Sequence, residues 1–271
     1  LAASWTWFDS RQRAATAAPA DWNEAERGLV ENLRFAGKPD VYLIHLESFQ
    51  SREALQRIYG VDDRDFEQRL GALGFQVLDG RFANYSSTLS SLASLFAMRH
   101  HYAQIAMGNL DALGVRELVG GKAYNPVLRA FLNNGYRCQI VFPSDYAFDP
   151  SDDWWYSFPP RSLLGVVRIY QSRALDRLID RIAARKDRGG DFAALLSERV
   201  AAAAADGGPT FSILSPPWSD HSPVDRKWSE LGDWQAAYPA KLRTSQEAYL
   251  GLVQRIVARD PGAVVVLFGD H

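Results

Sequence analysis

Hydrophobic positions along the chain follow two spacings in alternation, and this alternation predicts an α/β protein. Short segments rich in apolar residues, which are typical of strands, lie at 41–46, 75–79, 136–142, 209–214 and 263–268. Apolar residues at helical spacing lie at 24–34, 62–74, 88–96, 125–134, 172–186, 192–205 and 240–258. Strands that alternate with helices in this way predict a mainly parallel sheet sandwiched by helices, with right-handed crossovers.

The last apolar run, at 263–268, is central to the prediction of a functional site. It enters through Pro261-Gly262 and continues without a polar residue to Phe268, which predicts a strand buried on both faces. Its carboxyl end carries Gly269, Asp270 and His271. Ligands bind at the carboxyl ends of strands in open α/β sheets. An Asp beside a His at that edge can hold a metal ion.

Other polar groups are expected at the same edge. Glu47 follows the 41–46 strand, where a carboxylate is costly unless it is paired, bound to a cation or used as a helix cap. Thr88 and its serine neighbours begin a helix, where backbone N–H groups favour an anion, although a hydroxyl there can also be a simple N-cap. His221 follows the 209–214 strand. Carboxylates, imidazole and a hydroxyl suit Zn²⁺ or Mn²⁺.

The stretch 142–160 reads as an irregular loop rich in aspartate and tryptophan. Loops of this length in a compact domain are often functional. Asp149, Trp154 and Trp155 are therefore candidate substrate-binding residues, as is Trp218 beside the expected His221 edge. Plain packing of these aromatic rings is the alternative.

The amino-acid composition limits the classes of binding partner. The chain has 271 residues, of which 47% are hydrophobic and 23% charged, and its formal net charge is -2. Acids and bases are interspersed, so a nucleic-acid partner is not expected. No apolar run has the roughly 20 residues of a membrane helix. The single cysteine, Cys138, excludes a multi-thiolate zinc site and is expected to be buried rather than a nucleophile.

Four motifs in order resemble one known family. Residues 39–49 (PDVYLIHLESF), 87–91 (STLSS), 220–223 (DHSP) and 268–271 (FGDH) resemble the sulfatase-like branch of the alkaline phosphatase superfamily. Within it, the chain is similar to lipoteichoic acid synthases and periplasmic-glucan phosphoglycerol transferases, and less closely to lipid A phosphoethanolamine transferases. The resemblance spans residues from about 38 to 271.

The resemblance implies a fold, a site and an activity. The fold is an alkaline phosphatase/sulfatase-like α/β domain, and the metal ligands are Glu47, Thr88, Asp270 and His271. Thr88, with Ser87 in reserve, takes a phosphoglycerol-type group from a phospholipid donor and passes it to a glycan or lipid acceptor. His221 acts on the substrate side. The cofactor is one Mn²⁺ or Zn²⁺ ion.

The same resemblance implies organisation and location. Residues 1–36 are expected to be a lead-in segment, for which a preceding membrane region outside this chain is one interpretation. Residues 37–271 are expected to be a catalytic domain that is incomplete at its C-terminal end. The domain is expected to work at a membrane surface, in the periplasm. Trp218 and Phe142 stand where histidines occur in related enzymes, so a different head group or acceptor pocket is expected.

The same residues are also compatible with two other functions. The same site with water as the acceptor would be a phosphodiesterase or phosphatase. A non-catalytic binding module could also retain the fold without the chemistry. Metal content and product analysis distinguish these possibilities.

Overall fold

The structure is a computed structural model. It describes residues 24–78, 80, 83–100, 125–142, 155–157, 198, 201, 207–216, 218 and 231–270. For residues 24–27, 155–157 and 231–236 it describes the backbone only. The predicted helices at 172–186 and 192–205 lie outside this part of the chain, apart from helical backbone at 198 and 201.

The described strands form one parallel sheet. They are β1 (Val41–Leu46), β2 (Arg137–Val141), β3 (Trp155–Ser157), β4 (Thr210–Leu214) and β5 (Val264–Gly269). Their order across the five-stranded sheet is β3-β2-β4-β1-β5, and every pairing is parallel. The predicted α/β class with a parallel sheet is therefore confirmed.

Most of the described helices lie where the apolar spacing predicts a helix, but the one at 52–59 was not predicted and the last begins at Leu231 rather than near residue 240. The described helices are α1 (Glu24–Asn32), α2 (Arg52–Ala54, continued by a π-helical turn at Leu55–Tyr59), α3 (Arg64–Ala72), α4 (Thr88–Phe96), α5 (Pro126–Asn133) and α6 (Leu231–Arg259). Local sequence explains where α5 begins: Asn125 Oδ1 accepts a hydrogen bond from the Leu128 N–H at 2.9 Å, and Pro126 occupies the first turn. Of the described helices, none is long and apolar enough to cross a membrane.

Helices cover both faces of the sheet, as predicted. Side chains of alternate residues in β1 point to opposite faces. We call the side of Val41, Leu43 and His45 the front face and the side of Tyr42, Ile44 and Leu46 the back face. On the front face α4 and α5 pack against β1, β2 and β4. On the back face α3 and α6 pack against β1 and β5.

The prediction that the last strand is buried on both faces is wrong. In the described sheet β5 is an edge strand, and Val264 and Val266 on its front face are 46% and 42% exposed. Val265 and Leu267 pack on the back-face core. The front-face helices lie over β1, β2 and β4 and leave these two valines uncovered. An unbroken apolar run does not show which strands the helices cover.

Two further local predictions are also wrong. Residues 75–78 form no strand; the chain leaves α3 through Gly74 at φ +90°, and Val77 and Leu78 are exposed. Apolar alternation after a helix does not supply the hydrogen-bonded neighbour that a strand needs. The stretch 142–160, predicted as irregular, contains β3, which pairs with β2. Its short length hid it in the sequence.

Candidate metal and phosphoryl-transfer site

Strand register brings the candidate residues to one edge. Leu46 pairs with Gly269 at the ends of β1 and β5, so Glu47 and Asp270 leave the sheet side by side. Ile44 pairs with Leu214, so the residues that follow, His45 and Ser215, are also neighbours. The strand register therefore places Glu47 and Asp270 next to each other at the carboxyl edge, as predicted.

His45 is a site residue that the sequence reasoning missed. Its side chain is completely buried on the front face. The ring lies between Phe142 and Phe268, with ring centroids 6.3 and 5.5 Å away. The available signal was its position: a histidine two residues before Glu47 in a strand must point to the same face as that glutamate.

Three side chains at this edge could hold a cation. His45, Glu47 and Asp270 each offer one ligand atom, and these atoms all lie within 4.8 Å of one another. His45 Nε2 is 3.2 Å from Asp270 Oδ1, and His45 Nδ1 is 3.8 Å from Glu47 Oε2. One imidazole with two carboxylates is a donor set that suits Zn²⁺ or Mn²⁺. The residues present therefore fit the predicted metal.

Thr88 joins the same cluster. It is the first residue of α4, and its hydroxyl donates to Oε1 of Glu47 across a long 3.5 Å. Ser87 stands at the N-cap position without a side-chain cap, and its hydroxyl donates instead to Ser90 Oγ at 3.0 Å. The geometry thus brings Thr88, rather than Ser87, against the carboxylate. The helix N-terminus there favours a bound anion such as a phosphate.

The site is accessible from one side. The Glu47 side chain retains 18% exposure, whereas His45 and Asp270 are fully buried. A ligand would therefore approach from the side of Glu47 and Thr88, with the His45 imidazole and the Asp270 carboxylate buried beneath it.

The turn after β1 holds Glu47 in place. Ser48 has a left-handed backbone with φ 56°, which is unfavourable for a residue with a side chain. Its carbonyl accepts a hydrogen bond at 2.7 Å from the buried Tyr238 hydroxyl of α6. Strained backbone of this kind is common where a side chain must be aimed at a ligand.

Gly269 is required by close packing against that turn. A Cβ on Gly269 would lie 2.5 Å from the Phe49 carbonyl oxygen, which is far inside van der Waals contact. The absence of a side chain lets the end of β5 approach the turn after β1. Asp270 consequently reaches the same small volume as Glu47.

The remaining predicted site residues are not brought to this cluster by the described contacts. Trp218 packs its ring edge-on against Tyr249 on the back face, with centroids 5.0 Å apart. Trp155 lies in β3, at the opposite edge of the described sheet from β5. Asp149, Trp154, His221 and His271 lie outside the described residues. The proposed roles of these six residues stay predictions.

Cys138 behaves as expected. It is buried in β2, and burial raises the pKa of its thiol to about 12. A thiol with so high a pKa carries almost no thiolate at neutral pH, so it is not a competent nucleophile.

Comparison of the chain with protein-family models, with curated proteins and with solved structures finds no match. The expected membership of the alkaline phosphatase superfamily therefore rests on the four sequence motifs. The geometry of His45, Glu47, Thr88 and Asp270 is an independent observation about the chemistry of the site.

Proposed function

We propose that this chain is a metal-dependent phosphotransferase domain of the sulfatase-like type. It moves a phosphoglycerol-type group from a phospholipid donor to a glycan or lipid acceptor through a covalent phospho-Thr88 intermediate. The observation that supports this most strongly is the contact of the Thr88 hydroxyl, at the start of α4, with Glu47 beside His45 and Asp270.

The metal would be one Mn²⁺ or Zn²⁺ ion. Glu47 and Asp270 are ligands in this proposal, with Thr88 and His271 added by the family resemblance. A bound divalent cation would make the Thr88 hydroxyl more acidic and would stabilise negative charge on the phosphoryl oxygens. The positive end of α4 adds to that stabilisation without having to move.

The chain's own groups then carry the transfer. Thr88 Oγ1 forms a bond to phosphorus while the bond from phosphorus to the lipid alcohol breaks. The hydroxyl proton passes to Glu47, which already accepts its hydrogen bond. His221 gives a proton to the departing lipid alcohol and in the second step takes one from the acceptor hydroxyl. That hydroxyl attacks phosphorus, and Thr88 leaves with its proton restored.

A phospholipid donor places the reaction at a membrane surface. Following the resemblance, we propose that the domain works outside the cytoplasmic membrane and is held there by a region that is not in this chain. The exposed side of Glu47 and Thr88 would face the lipid head group.

The test is turnover with vesicles that contain phosphatidylglycerol labelled in its head group. Wild-type protein with Mn²⁺ should release diacylglycerol and carry one phosphoglycerol group, detected by intact mass. Thr88→Ala should lose both signals while its thermal unfolding is unchanged, and Ser87→Ala, as the matched control, should keep them. Full turnover by Thr88→Ala would refute the assignment.

Product analysis with and without a glycan acceptor separates transfer from hydrolysis. Labelled glycan is expected from a transferase, whereas free glycerol phosphate in the presence of glycan indicates a phosphodiesterase. Metal binding without release of diacylglycerol would instead indicate a binding module.

A further inference from the structure

His45 has two different nitrogen environments. Nδ1 lies 2.8 Å from Ser215 Oγ, a good hydrogen-bond distance. Nε2 is completely buried, lies 3.2 Å from Asp270 Oδ1, and among the described residues makes no hydrogen bond. The carboxylate oxygen is close to Nε2 but does not lie where an N–H there would point.

This spacing has a simple physical explanation. Two atoms that are each about 2.1 Å from one ion, at tetrahedral or octahedral angles, lie about 3.0–3.4 Å apart. The 3.2 Å between Nε2 and Asp270 Oδ1 falls in that range. An ion bound to both atoms would also lie along the Nε2 lone pair and leave the carboxylate oxygen to the side. The pair is therefore arranged as two ligands rather than as donor and acceptor.

We propose that His45 is a metal ligand through Nε2 and that Ser215 is the residue that positions it. The proposal rests on the metal site of the proposed function and adds a ligand to the set implied by the family resemblance. Ser215 Oγ accepts the proton of Nδ1–H, so the other nitrogen keeps a lone pair directed at the cluster. Metal-binding histidines usually donate their second N–H in this way.

The surroundings fix this arrangement. Ser215 is 2% exposed and directly follows β4, and its backbone N–H donates to the Val141 carbonyl at 2.9 Å. Phe142 and Phe268 flank the His45 ring and limit its rotation. A buried imidazole nitrogen is a borderline donor, so the site should prefer Zn²⁺ or Mn²⁺ over Mg²⁺ or Ca²⁺.

A spectroscopic experiment tests the ligand directly. The chain has five histidines, and the His45 signals can be assigned in ¹⁵N-histidine-labelled protein by their loss in His45→Gln. On addition of ¹¹³Cd²⁺ we expect a one-bond cadmium–nitrogen coupling at Nε2 of His45, with the proton on Nδ1. Coupling at Nδ1, or none at His45 while cadmium binding still depends on Glu47, would overturn the proposal and leave the metal site standing.

Affinity measurements test the positioning role. Ser215→Ala should weaken Zn²⁺ binding about 10–100-fold, because an outer partner of a metal-binding histidine is lost. Ser212→Ala is the matched control: it removes a buried hydroxyl from β4 that accepts from Gln139 Nε2 at 2.7 Å, and it should leave affinity unchanged. Equal affinity in Ser215→Ala and wild type would contradict the positioning role. If wild-type protein binds neither Zn²⁺ nor Cd²⁺, the proposed function fails as well.

Discussion

Carboxylates at the two ends of β1 have different surroundings. At the amino end, Asp40 Oδ1 accepts from the Thr210 backbone N–H and hydroxyl at 2.7 and 2.8 Å, and the Asp40 carbonyl accepts from the Val264 N–H at 2.8 Å. Asp40 therefore joins β1 to β4 through its carboxylate and to β5 through its backbone carbonyl. At the carboxyl end, β1 and β5 bring Glu47 and Asp270 to the imidazole of His45. The carboxylate at one end accepts hydrogen bonds from a neighbouring strand, and the two carboxylates at the other end lie beside a buried imidazole, where we propose that they bind a metal ion.

The difference lies in what each arrangement does for stability. Hydrogen bonds from neutral donors stabilise Asp40 in the folded protein. Ligand atoms of Glu47 and Asp270 lie within 4.8 Å of one another, so their negative charges repel unless a cation lies between them. If the proposed metal site is right, we expect the carboxyl end to give up stability for binding, which is common at functional sites.

The largest expected effect comes from exchanging the two aspartates for asparagine. Asp270→Asn should weaken Mn²⁺ or Zn²⁺ binding by about 100-fold or more, because a charged ligand is lost. Metal-free Asp270→Asn should be as stable as wild type or more stable, since the repulsion with Glu47 is removed. Isothermal titration and denaturant unfolding measure these effects.

Asp40→Asn is the matched control at the other end. It should leave metal affinity unchanged and lower the free energy of unfolding by about 1–2 kcal/mol, because hydrogen bonds to a charged acceptor are weakened. If the two variants had the same effect on metal affinity, the distinction between the two ends would be lost.

The next effect concerns the glycines at the two ends of β5. Gly269→Ala should destabilise the protein by about 1–3 kcal/mol and displace Asp270, because the new Cβ would meet the Phe49 carbonyl oxygen at 2.5 Å. Gly262→Ala places its Cβ at an ordinary 3.5 Å from Asp260 Oδ1 and should be tolerated. Thermal unfolding and metal affinity of both variants provide the readout. Normal affinity in Gly269→Ala would show that the close approach does not aim Asp270.

A second buried aspartate, Asp63, separates pH effects from metal effects. It precedes α3 and accepts from Gln246 Nε2 of α6, and burial is the main cause that raises its pKa from 3.8 to about 6. Because the folded state holds this proton more tightly than the unfolded state, the contribution of Asp63 is full below pH 4 and is lost as pH rises through about 6.

Asp63→Asn should remove that pH dependence, which we expect to be on the order of 1–2 kcal/mol. Asp65→Asn, at an 85% exposed side chain in the same helix, is the control. Denaturant unfolding at several pH values from 4 to 7 measures the difference. A wild-type pH profile that persists in Asp63→Asn would rule out this source.

The smallest effect distinguishes two tyrosine hydroxyls. Tyr238 donates to the Ser48 carbonyl at 2.7 Å at the carboxyl end, and Tyr136 donates to the Pro39 carbonyl at 2.9 Å at the amino end. Each Tyr→Phe change should cost about 1 kcal/mol of unfolding free energy. Only Tyr238→Phe should also weaken metal binding, because only Ser48 adjoins Glu47. A fall in metal affinity with Tyr136→Phe would contradict this account.

The sequence predicts the strands near β1, β2, β4 and β5 and the helices that separate them, because apolar spacing reflects which side chains must leave water. It also predicts that Glu47 and Asp270 meet, since parallel strands end at one edge. Spacing cannot predict strand order. The edge position of β5 and the exposure of Val264 and Val266 therefore appear only in the structure.

Part of the site was hidden for a similar reason. His45 is embedded in an apolar strand, where a histidine is usually satisfied by packing and one hydrogen bond. Ser215 is a serine among many, and its contact with His45 depends on β4 lying beside β1. Contacts made across strands that are 170 residues apart require the topology, which local patterns do not contain.

The most direct test of the central claim is metal analysis of the purified chain, with wild type beside Glu47→Gln and Asp40→Asn. After incubation with Mn²⁺ or Zn²⁺ and removal of excess ion, about one ion per chain is expected in wild type and Asp40→Asn, as in a single-ion site, and much less in Glu47→Gln. Wild-type protein without bound metal, or equal metal in all three proteins, would contradict the account.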